Sequence, residues 1–235
     1  MTTSRNHPRL LLLAVLACLL APRPAAADAA CDPGTRARLA FIEGRLEARR
    51  GYANVWWLGW TAVYGAGVAV EGVRAGLENE RGRRADFIVG AVKAAIGTSR
   101  LLSFPPTARA GGAPLHAREA GSRAQCLERL AAAEARLRQA ARESHRRWAW
   151  QPHAINVGLN MAGALVVAEG FDESRGWTSA GIGIAVGEAM ILSHPWSADD
   201  DLADYEARFG DRPPRERARW RLEPWGPGVR LALAF

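Results

Sequence analysis

His153, Asn156 and Asn160 fall at i, i+3 and i+7 in the stretch HAINVGLN, a spacing that puts all three on one face of a helix. A carboxylate, Glu188, follows in GIGIAVGEAM. If the chain reverses about GFDESRG, Glu188 arrives at the depth of Val157, beside Asn156. An imidazole, two carboxamides and a carboxylate converging between apolar helices form a donor set for a small polar ligand or a metal ion. The same groups also serve as hydrogen-bonding glue between helices, and the sequence leaves both uses open. Two further acids, Glu71 and Glu169, each close an apolar run just before a glycine. A carboxylate near a helix C-terminus opposes the helix dipole. Each is therefore expected to have a cationic partner, such as an arginine of an amphipathic helix.

Motifs of known enzymes are missing. There is no G-x-S-x-G, no H-E-x-x-H and no G-x-x-x-x-G-K-[ST]. GAGVAVEG and GIGIAVG echo a dinucleotide loop, but neither follows a strand pattern. The expectation is a non-enzymatic protein with no cofactor. The 31 basic residues, of which only Lys93 is a lysine, are spread among acids along the chain. A nucleic-acid binder would cluster them, so no nucleic-acid partner is expected.

The elements that carry these residues are written twice. RLAFIEGRL (38–46) matches RLAAAEARL (129–137), GAGVAVEG (65–72) matches GALVVAEG (163–170), and AIGTSRLLSFPPTA (95–108) matches AVGEAMILSHPWSA (185–198). Three matched blocks in one order predict a tandem duplication. Each unit reads as three helices. The first is amphipathic, with Leu39, Ile42 and Leu46 matched by Leu130, Ala133 and Leu137. The second is apolar nearly all round, over 54–70 and then 153–168. The third, over 85–103 and then 177–193, is stopped by Pro105 and Pro195. The predicted class is all-α: two three-helix units (28–110 and 111–198), each an amphipathic helix plus an apolar hairpin, forming one bundle. A C-terminal part (199–235) adds a short helix, with Ser197 as N-cap before Asp199, Asp200 and Asp201. A β-hairpin follows about Pro224 to Gly228, where Val229, Leu231 and Leu233 alternate.

Residues 1–27 read as a signal peptide. Arg5 and Arg9 precede the apolar run Leu10–Ala21, and Ala25 to Ala27 offer a cleavage site. Cys18 also has the position of a lipidated cysteine, although Leu16 and the continuing apolar run fit that motif poorly. Export to the periplasm or cell envelope is expected. Cys31 and Cys126 each open a unit's first helix, so a Cys31–Cys126 disulfide is predicted for an oxidising compartment.

The apolar helices fit either a bilayer or the core of a soluble bundle. Small residues such as Gly183 and Gly187, and tryptophans near helix ends, favour the bilayer. Lys93, Arg100 and Glu188 within the helices, short apolar segments and arginines against the positive-inside rule oppose it. The functional expectation is an envelope protein acting through its apolar hairpins, on a membrane surface or bilayer or on an envelope protein partner. The alternative is a ligand- or metal-binding protein using the polar cluster.

Overall fold

The computed structural model describes residues 31–118, 121–171, 173–195, 197–210, 219–225 and 228–234. The predicted signal segment and Cys18 lie outside these residues. The described residues through Phe209 are all-α, in an antiparallel bundle. Helix α1 runs Pro33–Leu77 and α2 runs Arg81–Ser103. A 3-10 turn (Thr107–Ala110) and the short α3 (Ala113–His116) lead to α4 (Arg123–Arg146). Then come α5 (Trp150–Phe171), α6 (Arg175–Leu192) and α7 (Ala198–Phe209). Strands β1 (Arg219–Trp225) and β2 (Gly228–Ala234) pair antiparallel with Trp225 opposite Gly228. Their reversal, at 226–227, lies outside the described residues.

One expectation is corrected. The first and second helices of unit one are a single 45-residue helix, α1. No proline interrupts 34–77, and glycine inside a helix costs only about 1 kcal/mol. In unit two Pro152 cannot sit in a helix interior, so α4 ends and α5 restarts with Pro152 in its first turn. The apolar helices are also longer than the sequence pattern implied. From Trp56, α1 continues 22 residues, α2 has 23, α5 has 22 and α6 has 18. At 1.5 Å per residue these span about 27–35 Å.

The molecule is built in two parts. The head joins the first half of α1 to α3, α4 and α7. Leu39, Ile42, Leu46, Leu115, Leu130 and Leu137 form its sealed core with Tyr205. Cys31 and Cys126 are disulfide-bonded at its edge, with Cα atoms 5.5 Å apart. Asp32 caps α1 by accepting from the Thr35 N–H at 3.0 Å, and Pro33 follows at N1. Arg38 pairs with Glu134 at 3.1 Å and Arg129 with Glu43 at 2.6 Å. Helix α7 closes the head through Asp201, which accepts from Arg49 at 3.0 and 3.1 Å and pairs with Arg45 at 3.2 Å. Burial, reinforced by Glu134, pushes the Tyr205 hydroxyl pKa up to about 12. Ser197 holds the N-cap position of α7 with φ of 77°, in the left-handed region.

The second half of α1 with α2, and α5 with α6, make the two hairpins, and α2 packs on α5 and α6. Of the large apolar side chains left exposed among the described residues, Tyr52, Val55 and Leu127 belong to the head, the first two at the end of its part of α1. The others lie on the four apolar helices or at their ends. Among the described residues α5 alone is long and apolar enough to cross a membrane by composition, and little of it is buried.

Candidate functional site

Hairpin reversal through Arg175 brings α6 back along α5, and the four predicted polar residues meet there. His153 Nε2 lies 2.7 Å from the Arg147 carbonyl oxygen, and Nδ1 lies 2.5 Å from Glu188 Oε2. The carbonyl can only accept, so Nε2 carries a proton. The Nδ1 contact needs a second proton between the ring and the carboxylate. Asn156 Nδ2 donates to Glu188 Oε1 at 2.9 Å and to the Ile184 carbonyl at 3.0 Å. Asn160 Nδ2 donates to the Asn156 side-chain and backbone oxygens at 3.1 and 2.9 Å. Asn160 Oδ1 in turn accepts from Lys93 Nζ of α2 at 3.2 Å.

The result is a continuous string: Arg147 carbonyl, His153, Glu188, Asn156, Asn160, Lys93. It ties three helices from two hairpins. Both ring nitrogens of His153, both oxygens of Glu188 and the polar ends of both asparagines are occupied within it. Among the described residues no group of three or more His, Cys, Asp or Glu is placed to hold a metal. The arrangement can clamp helices and hold a proton between His153 and Glu188. It offers no vacant donor set around a cavity.

Glycine makes the string sterically feasible. The Asn160 carboxamide occupies the space where a Cβ on Gly183 would stand, and the Asn156 carboxamide does the same at Gly187. On the other side, Gly163 gives room to Val89 and Lys93. Replacing Gly187 by alanine is expected to destabilise the α5–α6 hairpin by about 2–3 kcal/mol, because it overpacks the contact and displaces the half-buried, hydrogen-bonded Asn156 amide. Adding Asn156→Ala should restore part of the loss. A double-mutant cycle on thermal unfolding of the full chain in detergent measures the coupling, and strict additivity would contradict this account.

Glu71 and Glu169 are not brought together, and neither pairs with a first-helix arginine among the described residues. The fused α1 explains this for Glu71, which stands 22 residues, about 33 Å, beyond Arg49 on the same helix. Its carboxylate packs against Gly90 instead, within electrostatic reach of Lys93. Glu169 is exposed.

The tryptophans near the helix ends also have another role than facing headgroups. Trp56 and Trp60 donate to Ser193 Oγ at 3.2 and 3.1 Å, and Trp57 donates to the Leu101 carbonyl at 2.8 Å. The repeated phrases LLS and ILS are thus where α1 grips the ends of α2 and α6. Trp148 and Trp150, at 64% and 72% exposure, are the tryptophans left open at this level. His194, which follows the ILS phrase, is half-buried. It packs edge-on to Trp56 at 4.8 Å between ring centroids, and burial holds its pKa below the ordinary imidazole value.

Where the head meets the hairpins, a cavity of about 680 Å³ is lined by residues of α2, α4, α5 and α6 together with Trp56 of α1. Sequence reasoning missed both this cavity and the role of Lys93. The signal for Lys93 was its being the chain's one lysine, inside an apolar helix. For the cavity no sequence signal exists, because it arises from packing of separate elements. The fold and site together define an all-α chain with a disulfide-stapled head and two apolar hairpins zipped by a polar string. No family model, curated protein or solved structure matches it.

Proposed function

We propose that this is an exported cell-envelope protein whose two apolar hairpins embed in a membrane and hold an arginine-rich head at its surface. The observation that carries the reading is the partition of exposed apolar side chains. The head seals its core, whereas Leu58, Val63, Val92, Ile155, Leu165 and Ile182 on the hairpin helices are all about half exposed or more. A protein in water does not expose so large a contiguous apolar surface without a partner.

Helix lengths of about 27–35 Å match a hydrocarbon core of about 30 Å. Charges bracket the apolar band. Arg83 pairs with Glu78 and Glu80 at the tip of the first hairpin, and Arg109 and Arg147 stand at the head end. Of the charged groups within the band, Lys93 and Glu188 are hydrogen-bonded inward to asparagines, as polar side chains in lipid must be, and Glu71 packs against Gly90 within electrostatic reach of Lys93. In this reading the string is the glue between hairpins. The ligand- or metal-binding use of His153, Asn156, Asn160 and Glu188 has less support, since their polar atoms already satisfy one another. The reciprocal pairs Arg38–Glu134 and Arg129–Glu43 link residues matched by the repeat, which supports an origin by duplication about a pseudo-two-fold.

The test is fractionation of the full chain expressed with its own leader, followed by an alkaline carbonate wash of the membranes. Retention in the washed pellet is expected. Recovery in the soluble periplasmic fraction would overturn the membrane reading.

A further inference from the structure

The cavity at the junction has an unusual lining for a protein interior. Its polar rim carries Arg100 from α2, Arg146 from the end of α4 and Arg147 just after it. Its apolar wall is built by Leu101, Met190 and Ile191. One carboxylate, Glu143, also faces it, but that group is already engaged: it accepts from the Thr107 N–H at 2.9 Å, the Thr107 hydroxyl at 2.7 Å and Gln139 at 3.1 Å. Arg147 is engaged too, donating to the His194 carbonyl at 3.5 Å and stacking over Trp148. Arg100 and Arg146 form no ion pair among the described residues, and both are exposed. Two uncommitted guanidiniums therefore flank a cavity whose volume suits a small-molecule ligand.

The position of the cavity restricts what that ligand is. It opens at the level where the charged head gives way to the apolar band, beside the exposed Trp150 and Phe104. Its apolar wall continues onto the outer hairpin surface through Leu102 and Leu192, both about half exposed. A compact inorganic anion would use the arginines and leave the apolar wall uncovered. An amphiphile with an anionic head and hydrocarbon tails would use both. Arginine suits such a head because its planar fork matches phosphate oxygens and is weakly hydrated.

We propose that this junction cavity is a binding site for one anionic phospholipid, its phosphate held by Arg100 and Arg146 and its acyl chains lying along the α2–α6 side of the hairpins. The proposal rests on the membrane reading above and adds selectivity to it. The lipid is a specific ligand at the head–hairpin junction as well as a solvent. Its phosphate would bridge α2 to α4, so headgroup binding would also fix the head relative to the hairpins.

The experiment uses the full chain purified in a zwitterionic detergent and offered phosphatidylglycerol or phosphatidylcholine, with retained lipid counted by native mass spectrometry. The expected result is one phosphatidylglycerol per chain, held in preference to phosphatidylcholine and not displaced by millimolar inorganic phosphate. Arg100→Gln with Arg146→Gln should weaken that retention by about tenfold or more. Arg138→Gln with Arg142→Gln, on the same helix α4 but outside the cavity lining, should leave it unchanged. Met190→Trp, which fills the apolar arm and keeps both arginines, should weaken it as well. This second variant keeps the test decisive if the double arginine variant fails to fold.

Equal retention of both lipids, displacement by inorganic phosphate, or equal loss from the two arginine pairs would overturn the lipid site. The carbonate wash separates this failure from the broader one. A chain that stays in washed membranes yet shows no headgroup preference loses the site alone, and a chain released by the wash loses both readings.

Discussion

Replacing Asp201 by alanine is expected to release α7 from the head, raising tryptic cleavage at Arg208 by about thirtyfold or more. The carboxylate is almost fully buried and pairs with both Arg45 and Arg49, and Asp204 of the same helix adds a second, exposed pair to Arg45. Its two arginines remain 40% and 34% exposed. After the substitution they can turn to water rather than stay as buried unpaired charges. The cost therefore falls below the 3–5 kcal/mol typical of breaking a fully buried pair, at about 2–4 kcal/mol. Cleavage of a locally opened helix follows the free energy of that opening when closing is fast, and 2 kcal/mol corresponds to about thirtyfold. Tyr205 and Phe209 still pack against Phe41 in the variant, so α7 should be loosened and not lost. Asp201→Asn keeps the shape and should show a smaller rise. Cleavage at Arg208 as slow in Asp201→Ala as in the wild type would mean that the aromatic packing, with the Arg45–Asp204, Ser144–Asp199 and Tyr205–Glu134 contacts, docks the helix without Asp201.

The same helix shows what was legible in the sequence. Ser197 followed by three acids marks a helix start, and α7 begins there. That Asp201 turns inward to two arginines of α1 could not be read, because the partners lie more than 150 residues away. The helix stops at Pro105 and Pro195 were legible, since proline imposes a local constraint that needs no partner. The continuity of α1 was not. A run such as Gly51-Tyr52-Ala53-Asn54 looks like a break, yet nothing in it forbids helical geometry. In the polar string, the approach of Glu188 to Asn156 followed from hairpin reversal, a local operation. Lys93 joins from the other hairpin, and packing between hairpins leaves no period in the sequence. The junction cavity is less legible still, because it belongs to five helices at once.

Breaking the Cys31–Cys126 bond should cost the head about 2–5 kcal/mol, the other large effect expected in this molecule. The bond closes a loop 95 residues long in sequence. In the chain-entropy account, a loop of that size stabilises the folded state by about 4–5 kcal/mol through the denatured ensemble. The native head has little to replace it with at that edge. Both cysteines are buried, Cys31 just ahead of α1 and Cys126 in the first turn of α4, where helices otherwise fray. The loop it closes also contains the whole first hairpin. In the membrane reading this hairpin leaves the head and returns to it, so the bond holds the two ends of that excursion at one point. Cys31→Ser with Cys126→Ser, compared with the wild type by urea titration of the full chain in detergent with and without reductant, measures the effect. The wild type should lose stability on reduction, and the double serine variant should be insensitive to reductant and resemble the reduced protein. If oxidised and reduced wild type unfold at the same urea concentration, the sealed core and the reciprocal pairs Arg38–Glu134 and Arg129–Glu43 hold α1 to α4 without help. If the oxidised form is the more stable, the head depends on a bond that forms only in an oxidising compartment. The stability curve would then speak for export independently of the N-terminal segment.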